Sequence, residues 1–212
     1  MERQSGEQMD DRYFNRQRRR IEEEGIPLRR RSFLMGLAAA SLPTSTFAAI
    51  PAMSSLENVV VLQLREGHVV VRLHPEAAPR HVERIKTLVR QGFYDGMPFH
   101  RVVDGFMAQT GDQRFKGMRE LPLPNVPAEF NATAFKRGTV GMARSRNPNS
   151  ALSQFFIMLA DGDFLNGRYT AFGSVVAGME FMDKVRRGSP EDQGLMASPS
   201  SIVTMRVAGD IV

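Results

Sequence analysis

The chain has 212 residues with 42% hydrophobic and 24% charged side chains, enough for one sizeable core and too short for two. It contains no cysteine, which excludes a disulfide framework, a thiolate zinc site and a cysteine nucleophile. Its net charge of +5 is modest, and no basic stripe interleaved with aromatics runs through it, so no nucleic-acid partner is expected.

Residues 1–35 concentrate nine Arg and seven Asp or Glu. Up to Arg31 this stretch is polar and aperiodic, the composition of a disordered segment. Arg29-Arg30-Arg31 then precede an apolar run to Leu42, too short for an ordinary membrane-spanning helix. Small residues at Thr46 and Ala48 follow, the pattern of a peptidase site with cleavage after Ala48. Arg30-Arg31-Ser32-Phe33-Leu34 resembles a twin-arginine export signal, with Met35 where a polar or basic residue is usual. The alternatives are the general secretory route and a basic linker followed by a short buried helix. Three regions are therefore expected: 1–48 as disordered N-region and export signal, 49–57 as a short linker, and 58–212 as the working domain. Such a protein meets the membrane only transiently through its signal and works in the periplasm or outside the cell. It stays tethered if the signal is not cleaved.

Asn58–Leu64 is β-branched and partly alternating, Glu66-Gly67 supplies a turn, and Val69–Leu73 returns as a second strand. Pro79 suits a first helical position; Val82, Ile85, Leu88 and Val89 follow at helical spacing, with Gly92 as cap. Short strand-like segments come next: Pro98–Val103, Phe106–Thr110, Gly138–Ala143, Gln154–Leu159 and Thr170–Val176. A second helix is expected over Met179–Arg187, a polar flexible loop over Glu191–Ser201, and a last strand over Ile202–Val207. Many short strands with two helices indicate a mainly β antiparallel barrel capped at its ends.

Three motifs carry the chemistry. The first is FHRV, Phe99-His100-Arg101-Val102, followed by Phe106, Met107 and Gln109 within GFMAQTGD. The second is Gly141-Met142-Ala143-Arg144 with Ser153-Gln154-Phe155-Phe156-Ile157. The third is Phe164-Leu165-Asn166-Gly167-Arg168-Tyr169, running on to Phe172-Gly173. None supplies a nucleophile. His68, His74 and His81 lack metal-ligand spacing, and Asp161-Gly162-Asp163 has Leu165 where a calcium loop needs Asp or Asn. A fixed guanidinium, an amide and apolar walls suit a reaction in which no atom changes molecules.

In order and wording these motifs resemble the cyclophilin family of peptidyl-prolyl cis–trans isomerases, in its bacterial branch, over Asn58–Val207. The resemblance implies a closed eight-stranded antiparallel barrel capped by two helices, acting on proline-containing polypeptides as a monomer without cofactor or metal. It implies Arg101 as the catalytic donor and Gln109 as a partner of substrate backbone. Phe106, Met107, Phe156, Leu165 and Tyr169 would line the proline pocket, with Phe164 a further substrate-binding residue. Ala143, Arg144 and Gln154 would flank an extended peptide, and strand alternation would turn Phe155 to the opposite face. His100 would be structural, since no proton is transferred. Phe164 stands where tight cyclosporin binders carry Trp, implying weak cyclosporin binding. The implied role is folding of envelope or secreted proteins. The rival readings are a non-catalytic peptide-binding chaperone on the same scaffold, and a tethered assembly component docked through its basic N-terminus.

Overall fold

A computed structural model describes residues 56–189, 191–195 and 198–211. The proposed linker up to Ser55, the signal and the charged N-region lie outside the described residues. Eight strands form one antiparallel sheet: β1 Val59–Leu64, β2 Gly67–Leu73, β3 Arg101–Val103, β4 Met107–Thr110, β5 Thr139–Met142, β6 Phe155–Met158, β7 Ala171–Ala177 and β8 Thr204–Val207. Their spatial order is β3-β4-β6-β5-β7-β2-β1-β8. All seven ladders are antiparallel.

β1 and β2 form the expected hairpin, but the turn is one residue earlier than the sequence suggests. Leu64 pairs with Gly67, leaving Arg65-Glu66 as the connection. Gly67 belongs to the strand through that pairing, and the Phe181 ring leaves no room for a side chain on it: a Cβ there would sit 2.5 Å from the ring.

The expected closed barrel is instead a curled open sheet whose ladder stops at β3 and β8. Across that gap, among the described residues, runs one isolated bridge, Pro98 opposite Ser201. Backbone bonds from Phe99 N–H to Ser200 O (2.9 Å) and Ile202 N–H to Met97 O (2.9 Å) support it. Pro98 has no N–H to give, so a regular ladder cannot run through this seam.

Helix α1, Pro79–Arg90, packs His81, Val82, Ile85, Leu88 and Val89 inward, as their spacing predicts. Pro79 opens it, but the residue before the first turn, Ala78, offers no side-chain cap. The cap comes from Glu129, whose carboxylate accepts the backbone N–H groups of Arg80 (3.1 Å) and His81 (3.0 Å). That satisfies orphan donors and places a negative charge at the positive helix end. His81 Nδ1 donates to the same carboxylate at 2.6 Å.

Helix α2 is a single turn, Met179–Met182, not the longer helix expected to Arg187. The Arg187 side chain reaches back to the carbonyls of Met182 and Val185, and Gly188 bonds across to Val102. The chain thus leaves the helix to run beside β3.

The main core fills the concave side of the sheet beneath α1, from Leu62, Val71 and Ile85 to Phe155, Ile157 and Phe172. A second apolar cluster lies on the other face: Met107, Phe135, Phe156, Met158, Leu165 and Ala171. Alternation on β6 feeds both, with Phe155 and Ile157 in the first and Phe156 and Met158 in the second.

Candidate active site

The second cluster is the floor of the site, and strand register builds it. Arg101 on β3 pairs with Gln109 on β4, Gln109 pairs with Phe156 on β6, Phe156 with Gly141 on β5, and Gly141 with Ala171 on β7. One cross-strand row thus carries a cation, an amide, an aromatic ring and a residue with no side chain. Gly141 is bare because the row is crowded: a Cβ there would sit 2.5 Å from both the Phe135 and Phe156 rings. Those two rings stack at 5.8 Å, and Tyr169 meets Phe156 edge-on at 5.9 Å.

Above this floor is a cavity of about 340 Å³ lined by Arg101, Phe106, Met107, Gln109, Ala143, Arg144, Phe156, Phe164, Leu165 and Tyr169. The structure therefore brings ten of the eleven sequence-selected residues to one hollow. The eleventh, Gln154, lines an adjoining cavity, also about 340 Å³, together with Gln109, Ala143 and Arg144. Phe164 is 62% exposed and forms the rim, its ring 5.3 Å from that of Phe106.

Arg101 is held from two sides. Nη1 donates to Gln109 Oε1 at 3.4 Å, and Nε donates to the backbone carbonyl of Gln193 at 2.9 Å. Gln109 in turn donates to Gln154 Oε1 at 2.9 Å. Arg144 stacks its guanidinium over the Tyr169 ring at 4.3 Å and donates to the carbonyls of Ser145 and Arg168. It forms the wall shared by the two cavities. Both linings contain arginine and no carboxylate, so the groove favours electron-rich groups such as peptide carbonyls.

His100 is buried and stacked on Phe115 at 5.6 Å. Burial pushes its imidazole below the ordinary range, partly offset by the neighbouring Asp112. The carboxylates of Asp161 and Asp163 both bind Lys136, at 3.2 and 2.9 Å. Phe135 and the Gln193 carbonyl are the site groups that sequence reasoning missed. Phe135 is a lone aromatic in a polar stretch, and a backbone carbonyl leaves no compositional signal.

Residues 59–207 match the family model for cyclophilin type peptidyl-prolyl cis-trans isomerase/CLD. The chain belongs to the cyclophilin family.

A probable peptidyl-prolyl cis-trans isomerase of Brucella suis is 47% identical over 187 residues, covering 82% of this chain and 95% of that protein. The crystal structure of a cyclophilin from Hirschia baltica superposes with a TM-score of 0.68 at 27% identity, covering 74% of this chain and 76% of the other. A Cryptosporidium parvum cyclophilin type isomerase, solved in the presence of the dipeptide Ala-Pro, shares the fold (TM-score 0.63, 24% identity, 70% of this chain and 98% of that one). This cyclophilin is thus a peptidyl-prolyl cis–trans isomerase, and its hollow lies on the face of the sheet opposite the main core.

Proposed function

We propose that this cyclophilin isomerises X–Pro bonds in exported polypeptides, with Arg101 as the transition-state donor. The difficulty is the barrier of about 18–20 kcal/mol set by partial double-bond character in the C–N bond. Unaided X–Pro rotation takes roughly tens to hundreds of seconds. A donor directed at the prolyl nitrogen draws its lone pair out of conjugation and favours the pyramidal, twisted state. Arg101 fits, because its guanidinium stays charged and two of its nitrogens are already anchored, leaving Nη2 for the substrate. Each further 1.36 kcal/mol of preferential stabilisation gives about tenfold in rate.

The proline ring packs against Phe106, Met107, Phe156, Leu165 and Tyr169. This apolar surface favours the twisted amide, which is less polar than the planar one. Gln109 bonds substrate backbone, and the Ala143–Arg144 segment with Gln154 supports the extended chain on either side of the proline. No cofactor or metal takes part, and one chain suffices. The single observation that supports this assignment is the row Arg101–Gln109–Phe156–Gly141, which sets a fixed cation beside an apolar floor.

The N-terminal signal carries the protein out of the cytoplasm, so its clients are envelope or secreted proteins. The support is the Arg30-Arg31-Ser32-Phe33-Leu34 pattern followed by an apolar run and small residues. Mass spectrometry of the exported protein tests this: an N-terminus at Ala49 is expected, and a cytoplasmic, full-length protein contradicts it.

A further inference from the structure

Gln193 is, among the described residues, the non-glycine with a left-handed backbone, at φ 54°. Few side chains are placed there, so such a position warrants a physical explanation. Its neighbour Gly194 is also left-handed, at φ 84°, and a Cβ on it would sit 2.8 Å from the Val102 carbonyl. The two form the tip of a segment laid along the free edge of β3. Val102 N–H donates to Gly194 O at 2.8 Å, Gly188 N–H donates to Val102 O at 3.0 Å, and Leu195 bridges to Arg101. Gly194 N–H closes the segment on Ser189 O at 2.9 Å. The segment therefore docks by backbone bonds to the very strand that carries Arg101.

The left-handed turn directs the Gln193 carbonyl at Arg101 Nε, 2.9 Å away. Arginine has four side-chain torsions, and Gln109 restrains the guanidinium only by a long bond of 3.4 Å. The shorter contact comes from Gln193. Nε has a single N–H, so this bond fixes the plane of the fork and with it the direction of Nη2.

We propose that Gly188, Ser189 and residues 191–195 form a positioning clip for the catalytic arginine, and that Gln193 acts through its backbone carbonyl as the positioning residue. The proposal rests on the reading of Arg101 as the donor. The strained turn is retained because it sets the arginine before substrate arrives, so that little reorientation is needed at the transition state. The Gln193 side chain has no part in this.

The test begins with the wild-type protein, by NMR of the Arg101 Nε–H group and by isomerisation of a short Ala-Pro peptide. A distinct Nε–H signal, exchanging at least tenfold more slowly than that of exposed Arg65, is expected. Gln193→Pro forbids φ 54° and Gly194→Ala displaces the tip from Val102. In each folded variant that signal should be lost and kcat should fall about tenfold, with KM within twofold of wild type. Gln193→Gly, which keeps the turn and the carbonyl, should retain at least a third of the rate. Full activity in a folded Gln193→Pro or Gly194→Ala would overturn the clip. So would an Nε–H of the wild type that exchanges as fast as Arg65, a result that needs no variant to fold. A folded Arg101→Ala protein as active as the wild type would instead overturn the reading of Arg101 on which the clip rests.

Discussion

Gln109 is the direct cross-strand partner of both Arg101 and Phe156, so one amide joins the cation of the site to its aromatic floor. It accepts from Arg101 and donates to Gln154, coupling the two cavities through one side chain. Gln109→Ala should therefore lower kcat/KM about tenfold, equivalent to about 1.4 kcal/mol of lost hydrogen bonding. Because the side chain is half-buried on the outer face, the melting temperature should change by no more than about 2 °C. Steady-state kinetics and a thermal melt of the same preparation check both statements.

Gly141 lies beneath the rings of Phe135 and Phe156, where a methyl group has no room. Gly141→Ala should cost about 1–3 kcal/mol by overpacking and lift Phe156 into the hollow. A fall in denaturant midpoint together with a several-fold rise in KM is the expected pair of results. A change in stability with KM untouched would show that the floor is not where proline sits.

The Glu129–His81 contact makes stability depend on pH. Burial lowers the His81 pKa from its ordinary 6.5, against the pull of Glu129. For Glu129 burial acts upward, yet the bonds from His81 and from the Arg80 and His81 backbone hold it below its ordinary 4.5. Each folded-state value lies under the unfolded one, so the unfolded chain takes up the protons first. The stabilisation is complete above about pH 6.5; it declines as His81 is forced to charge, and further below about pH 4.5 as Glu129 is neutralised. Melts from pH 8 to about pH 2 should show this two-stage loss. Glu129→Gln should remove the lower stage, deepen the His81 stage because no carboxylate then offsets burial, and cost about 1–2 kcal/mol at pH 7 through the weakened helix cap.

Phe164 offers a ring but no donor at the rim of the hollow. Phe164→Trp adds an indole N–H at a largely exposed position, where the larger ring can extend into solvent. Cyclosporin should inhibit the wild type weakly and this variant about three- to tenfold more tightly, the range of one neutral hydrogen bond. An unchanged inhibition constant would rule out a missing donor as the reason for weak binding.

Local pattern made much of this molecule legible. The β-branched run from Val59 and the apolar spacing of Val82, Ile85, Leu88 and Val89 appear as β1 and α1. Period-two alternation in SQFFI separates Phe155 from Phe156 as expected. Ten of the site residues chosen from three separated motifs line one hollow, because strand register aligns motifs that are remote in sequence. What escaped depends on atoms that composition does not report. Pro98 interrupts the seam between β3 and β8, and closure of a sheet is decided by such backbone donors. Glu129 caps a helix 49 residues away, so no capping motif appears beside Pro79. Glu191–Ser201 reads as a polar loop, yet its glycine and left-handed glutamine serve a backbone contact to Arg101. Arg187 looks like helical surface, yet its side chain turns back to donate to the Met182 carbonyl at the end of α2.

The proposed reaction turns on Arg101 lowering the rotation barrier. The most direct test is the isomerisation rate of a short Ala-Pro peptide with the purified protein, wild type beside Arg101→Ala, with peptide binding measured on both. Strong acceleration by the wild type is expected. The variant should lose about a hundredfold, equivalent to about 2.7 kcal/mol, with peptide affinity within a few-fold. A folded Arg101→Ala protein that still accelerates isomerisation at the wild-type rate would contradict this role of Arg101.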